Sequence, residues 1–392
     1  MIEACPICRV ADAELLWHRD RSPLLQFLPV GQQPTDAEFG ELFIVQCAAC
    51  GHVYNRAFDE SALTKIYTSD NLSNVPVTSG MRARLEQTAA WIGRDLFKDQ
   101  TVVEVGGGSG DMARIVARDA REVFVHEPCR GIRQSAFRER NVVLIPEMFS
   151  APTQPGAADL VICRHVLEHT TDPQRMLEEI ASVLTPQGRV YIEVPNFEFI
   201  DRHAAVFDFH AAHVQYFAPE RLGTLAARAG LHPVKQWASA DSRDFGLLFA
   251  RNGAGCAVTA APGSRDPLAG RITRRHERYV QFFSEHPDRL LLYGATWTGV
   301  AFLNAFSPAP PFESVLDDNR DYAGLALYHP DTQVPVRPPD AAWLGAQGDL
   351  FICPYQHAEG ISTKVRALGF EGRIQSINED PVVHSATIVS VS

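Results

Sequence analysis

No apolar stretch in this sequence is both long and clean. The longest candidate, residues 290–306, is broken by Gly294, Thr296, Thr298, Gly299 and Asn304, so no membrane-spanning helix is expected. The first residues lack a basic region followed by an apolar run, and no signal peptide is expected either. Positive charge is short: 36 Lys and Arg stand against 47 Asp and Glu, a net charge of -11. That balance argues against a general nucleic-acid binder, while an anionic ligand in a local basic pocket stays open. Cysteine is sparse, with eight residues in 392. A cytoplasmic protein is the expectation, and its cysteines are then reduced or metal-bound rather than disulfides. What remains, 45% hydrophobic and 21% charged, is an ordinary globular composition of a length that suits two or three domains.

Four of the cysteines are paired in sequence as Cys5-x-x-Cys8 and Cys47-x-x-Cys50, the second pair running on into Gly51 and His52. Two such knuckles in a short segment form a tetrahedral zinc pattern. Four thiolates close the site, so the zinc is expected to be structural. A redox role is the alternative for each pair, and their matching argues against it. His52 is a competing ligand that four thiolates do not need. The stretch between the knuckles reads as a β-ribbon with loops that the metal holds folded.

The organising motif lies further on, at Val102-Val103-Glu104-Val105-Gly106-Gly107-Gly108-Ser109-Gly110-Asp111. A β-branched apolar run leads into a glycine turn, and a helix opens after it, as in the ligand-binding corner of a doubly wound α/β domain. A dinucleotide fingerprint needs glycine at 111, where this chain has Asp111. The pattern E-x-G-x-G-x-G, carried by Glu104, Gly106, Gly108 and Gly110, instead resembles motif I of the class I S-adenosylmethionine (SAM) methyltransferases. Bare backbone lets the amino-acid tail of SAM lie close, and Glu104 is expected to meet its ammonium group. Residues 123–127 read as a second strand ending in Glu127, at the distance of a carboxylate that pairs with a ribose diol. A solvated strand end is the plainer reading of that residue. Residues 158–164 read as a buried strand, and His165, at its exit, is expected beside the cofactor. The string Val166-Leu167-Glu168-His169 is similar to the segment after strand four in many such methyltransferases. A helix over 172–184 follows, capped by Asp172.

Around this core the chain reads in three parts: 1–60 as a zinc-binding module, 61–252 as the SAM domain and 253–392 as a smaller C-terminal α/β unit. The polar stretch 68–76 precedes the SAM strand and is a candidate lid, with Tyr67, Ser69, Asn71 and Asn74 as candidate substrate contacts. A solvated loop is an equal reading. His203, His210 and His213 sit in an otherwise aromatic and apolar segment. Imidazole suits a base near neutral pH, and His213 is favoured for that role over a core histidine or a metal pair with His210. Residues 290–301 give a second strand–glycine–helix corner without the full glycine pattern. That corner reads as a nucleotide site, a substrate site or packing alone.

Taken together, these parts resemble the bacterial sugar C-methyltransferases, which act on nucleotide-linked deoxy-keto-sugars. The resemblance rests on the two knuckles, the 104–110 motif, Glu127, residues 166–169, His213 to Phe217, and residues 293–295 with 316–319. It implies an α/β protein with an N-terminal zinc module, a central class I SAM methyltransferase Rossmann-like domain and a C-terminal Rossmann-like domain. It also implies SAM and structural Zn2+ as cofactors. The partner implied is a small molecule, a nucleotide-linked sugar, with neither nucleic acid nor membrane involved and the chain a monomer or dimer. In that family a Tyr-His-Glu-His-x-x-Tyr-Phe segment carries the base. Here the segment is His210-Ala211-Ala212-His213-Val214-Gln215-Tyr216-Phe217. His213 is then the expected base and His210 the group that steadies an enolate oxygen. Methylation of oxygen or nitrogen on another acceptor is the alternative that the altered segment suggests. A SAM-binding protein without catalysis is the third reading.

Overall fold

The computed structural model describes the chain except residues 69–78, 151–156, 240–241, 253–254, 260–265, 286–288, 341–343, 345–347 and 382–392. Ser69, Asn71 and Asn74, and with them most of the candidate lid, lie outside the described residues. The chain forms two compact units. One comprises Met1–Asp20, Gly40–Arg202 and Ala211–Gly263; the other comprises Arg21–Phe39, His203–His210 and Ser264–Ser392. Among the described residues no helix is long and apolar enough to cross a membrane.

The first unit is built on a seven-stranded sheet. Its centre is the strand Thr101–Val105, flanked by Glu122–His126 on one side and Ala158–Arg164 on the other, all parallel. These β-branched runs are buried because helices cover both faces, as a parallel sheet requires. Val142–Ile145 extends the sheet at one edge and Leu184–Pro195 at the other. Asp244–Ala250 then runs antiparallel to Leu184–Pro195, and His232–Ala238 lies antiparallel outside it. Strand order reverses beside Thr101–Val105, and ligands of such sheets bind at that switch point, beyond the carboxyl ends of the strands. Helix Pro173–Val183 is capped by Asp172, whose side chain accepts from the Arg175 amide. Leu177 and Ile180 of that helix are fully buried. The next strand begins directly after the helix, at Leu184, and includes Pro186 and Gly188.

The expected border at residue 60 does not separate a free-standing module. Ala13–Pro23, Phe39–Cys47 and Val53–Asn55 form a four-stranded sheet whose last member is Gln215–Tyr216. Gln215 pairs with Tyr54 and Tyr216 with Val53, antiparallel. The knuckle ribbon is too small for a core of its own and completes its sheet with a strand from far along the chain.

The second unit has a sheet of its own. Leu290–Tyr293 lies between Phe312–Leu316 and Asp349–Ile352, parallel to both. Thr332–Arg337 and Arg373–Ser376 continue it in parallel on either side. Leu325–His329 and Leu28–Pro29 complete one edge in antiparallel pairing. Aromatic rings of Phe282, Phe302 and Phe351 pack in its core.

Candidate functional site

The glycine turn sits where strand order reverses. Gly106, Gly108 and Gly110 all have positive φ, at 69°, 53° and 78°. At Gly106 a Cβ would lie 2.3 Å from Val166 Cγ2, so glycine lets the loop after Ala158–Arg164 close over the turn. At Gly108 nothing lies within 4 Å of a Cβ, and the bare backbone borders open space. Glu127 falls just past the end of its strand. Its Oε2 accepts from the Gly108 amide at 2.7 Å and its Oε1 from the Cys129 amide at 2.9 Å. Glu127 thus shapes the turn while it borders a cavity of about 830 Å³. Glu104 is buried in the same wall, and its Oε2 has no hydrogen-bond partner among the described residues. Burial pushes its carboxyl up to about 8, against the pull of Arg164 and with the push of Glu127. A buried oxygen without a donor, a bare glycine turn and an acid at the neighbouring strand end are what a ligand with an ammonium group and a ribose requires.

Sequence relatives agree with that geometry. Residues 77–236 match the family described as "Methyltransferase domain". This segment is a SAM-dependent methyltransferase domain. The ubiquinone biosynthesis O-methyltransferase of Serratia proteamaculans is 32% identical over 105 residues, 25% of this chain and 44% of that protein. The C-methyltransferase NovU of Streptomyces niveus is 30% identical over 140 residues, 34% of this chain and 33% of that protein. The chain therefore spans less than half the length of the curated relatives it matches. Among solved structures, a SAM-dependent methyltransferase from Aquifex aeolicus aligns at 17% identity with a TM-score of 0.37, covering 50% of this chain and all of that one.

Another part of the methyltransferase domain's cavity wall carries charge that the sequence did not bring together. Arg84, Arg164, His165 and Asp244 line it. Glu193, fully buried, accepts from Arg164 Nε at 2.8 Å and Nη2 at 3.1 Å, from Arg84 at 3.0 Å and from the Tyr191 hydroxyl at 2.9 Å. Arg84 also reaches Asp244 at 2.7 Å. Burial works against ionisation of Glu193, but Arg164 and His165 hold its carboxyl well below the usual range. The signal for this cluster was a glutamate inside the apolar run Tyr191-Ile192-Glu193-Val194. Tyr67 and His169 line the cavity as well. The Tyr67 hydroxyl lies 2.9 Å from His169 Nδ1, which is also 2.7 Å from the Ala212 carbonyl.

The two expected catalytic histidines part company. His213 packs its ring edge-on against His169, with centroids 4.8 Å apart. The backbone that follows holds it in place, because the Val214 amide donates to the Glu168 carbonyl and Gln215–Tyr216 is held in the knuckle sheet. His210 belongs to the second unit, where its ring stacks on Trp297 at 5.2 Å and 15°. His213 does not line the cavity, whereas His169 does.

The donor atoms of Cys5, Cys8, Cys47 and Cys50 all lie within 4.8 Å of one another, with Cys8 and Cys47 sulfurs 3.4 Å apart. Four sulfurs converging in this way fit a closed tetrahedral zinc site. His52 points elsewhere, its Nε2 bonded to Gln215 Oε1 at 2.8 Å. Glu168, His169 and His213 also bring donors within 4.8 Å of one another. The Glu168 carboxylate also faces His165 at 3.5 Å.

Proposed function

We propose that the protein transfers the methyl group of SAM to a small molecule, and that the acceptor is a carbon beside the ketone of a nucleotide-linked deoxy-sugar. SAM supplies an electrophilic methyl group. Glu104, Gly106, Gly108, Gly110 and Glu127 hold it, with Glu104 facing its ammonium and Glu127 its ribose. The observation that carries the acceptor reading is the His169–His213 pair beside the cavity. With Nδ1 of His169 donating to the Ala212 carbonyl, its Nε2 keeps a lone pair. We assign proton removal to this pair, His169 bordering the acceptor and His213 behind it, and Tyr67 to the orientation of His169. The zinc of the four cysteines is structural in this reading.

Mass spectrometry of the protein incubated with SAM and a panel of nucleotide-linked 4-keto sugars tests the reading. A gain of one methyl group, placed on carbon by isotope-edited NMR, is the expected result. Transfer to oxygen would favour the second reading, an O-methyltransferase, which the similarity to ubiquinone-pathway O-methyltransferases motivates. SAM binding without transfer to any acceptor would sink both.

A further inference from the structure

His165 was expected beside the cofactor. We infer instead that its imidazolium stabilises the oxyanion that forms on the methyl acceptor, a role that rests on the carbon-acid reading above. The strand Ala158–Arg164 delivers His165 at its carboxyl end with φ of 52°, a left-handed conformation that is costly outside glycine and tends to mark functional positions. The ring lines the cavity with a third of its side chain exposed. Each ring nitrogen faces a carboxylate: Nδ1 lies 3.5 Å from Glu168 Oε1 and Nε2 lies 3.4 Å from Glu193 Oε1. A neutral imidazole has one N–H, and only the cation presents a proton to both sides.

Charge balance leads to the same state. Glu168, Glu193 and Asp244 are the carboxylates of this cluster, and the first two are 1% and 0% exposed. Arg84 and Arg164 are its guanidinium groups. Three negative charges against two leave one buried carboxylate uncompensated unless the third cation is His165. Glu104 stands apart from this cluster, and burial pushes its carboxyl toward the neutral form. Neither oxygen of Glu168 has a hydrogen-bond partner among the described residues, so the ring beside it is its nearest compensation, with His169 Nε2 at 4.0 Å. Burial opposes the charged ring, yet Glu168 and Glu193 push it up to about 10.

The arrangement has a direction. Arg84, Arg164 and His165 line the cavity together with Asp244, while Glu168 and Glu193 do not. SAM brings a sulfonium and an ammonium against one carboxylate, so a wall with three cations to one carboxylate is a poor match for it and a good match for an anion. Removal of the proton next to the ketone puts that C–H pair into a C=C bond and the carbonyl π pair onto oxygen. His165 stabilises this oxygen by its charge, since both N–H groups face carboxylates. The enolate carbon then takes the methyl group, the C–S pair goes to sulfur to give S-adenosylhomocysteine, and the oxygen returns to a ketone. One imidazole fixed as a cation beside another that keeps a lone pair is an acid and base set apart by their surroundings.

The test separates enolate formation from methyl transfer. The full-length protein is incubated in D2O with S-adenosylhomocysteine and thymidine diphosphate-linked 4-keto-6-deoxyglucose, and deuterium uptake beside the ketone is followed by NMR. His165→Asn is the first variant, because asparagine tolerates positive φ. Exchange is expected to fall about hundredfold, with SAM affinity by calorimetry changed less than about threefold. Unaltered exchange would overturn the assignment. Loss of SAM affinity with exchange retained would return His165 to the cofactor. If the wild-type protein does not exchange this sugar yet methylates another acceptor on oxygen, the carbon-acid reading fails and this role falls with it. Glu168→Gln serves where His165→Asn does not fold. It leaves the ring in place and weakens its hold on the proton, so exchange should fade at lower pH than in the wild type. An unmoved pH profile would overturn the role.

Discussion

Two strand–turn–helix corners in this chain are built alike and differ in what surrounds them. In the first, Gly106 follows the strand with φ of 69°, and Glu127 from the neighbouring strand accepts the amides of Gly108 and Cys129. In the second, Gly294 follows the strand Leu290–Tyr293 with φ of 98°, and Asp317 accepts the amides of Ala295 and Asn319, both at 2.8 Å. The first corner opens on a cavity because Gly108 carries no side chain and, among the described residues, none comes within 4 Å of where a Cβ would stand. The second is filled by the protein itself. Pro354 lies against Gly294, and the Gln26 amide donates to the Ala295 carbonyl. Thr296 caps its own helix, and Trp297 lies under His210. Asp208 beside that helix is bonded by the Tyr355 hydroxyl at 2.8 Å. A strand, a glycine turn and an acid are therefore scaffold geometry, and empty space with an unmatched oxygen such as Glu104 Oε2 turns the scaffold into a site.

Removal of the zinc proposed at Cys5, Cys8, Cys47 and Cys50 should separate the two corners most sharply. Structural zinc contributes about 10–16 kcal/mol in small peptides, and the first unit alone holds the four cysteines. A chelator, or Cys47→Ser, is expected to lower the unfolding temperature of the first unit and abolish SAM binding. Calorimetry should still show a transition for the second unit; loss of both together would break the contrast. Next in size is Gly106→Ala. A Cβ there meets Val166 at 2.3 Å in a left-handed conformation, a cost of about 2–5 kcal/mol, and SAM affinity should fall about hundredfold. Gly294→Ala meets Pro354 at the same 2.3 Å and should cost similar stability with SAM affinity unchanged.

Acidity sharpens the comparison further. The Glu104 carboxyl, at about 8, lies above its ordinary 4.5. Its contribution to stability is therefore complete below pH 4.5 and declines as pH rises through 8. An ammonium ligand favours the ionised form, so SAM affinity should rise about tenfold per unit as pH approaches 8, with a proton released on binding. Calorimetry in buffers of different ionisation enthalpy reads that proton, and a pH-independent affinity would remove Glu104 from the ammonium. Burial raises Asp317 as well, but its oxygens already serve two amides. Asp317→Asn should cost about 1–3 kcal/mol in the second unit and leave SAM binding and its pH dependence untouched, the smallest effect of the set.

What the sequence made legible follows from short-range physics. The glycine turn, the strands on either side and the Asp172 cap are local patterns of residue type and spacing, and they stand where expected. The reversed strand Asp244–Ala250 was not evident, because an apolar run carries no mark of direction. The pairing of Gln215–Tyr216 with Val53–Asn55 was not evident either, since two residues have no period to read. The stacking of His210 on Trp297 was not evident, because a partner from far along the chain leaves no local pattern to read. Arg84 and Asp244 were missed because a charge cluster drawn from distant strands leaves no spacing to detect. In the helix Leu268–Glu285, Arg275 bonds the carbonyl of His203 and is mostly covered, a partner that spacing alone does not reveal.

The shared sheet edge between Val53–Asn55 and Gln215–Tyr216 has a consequence for modularity. A shortened chain that keeps only the stretch matching the methyltransferase family would strand Gln215–Tyr216 as an open edge and release the loop that carries His213. Recombination that moved the SAM domain into another protein would have to carry the cysteine knuckles with it. The first sixty residues and the histidine segment are thus a single unit of inheritance, although 149 residues lie between them.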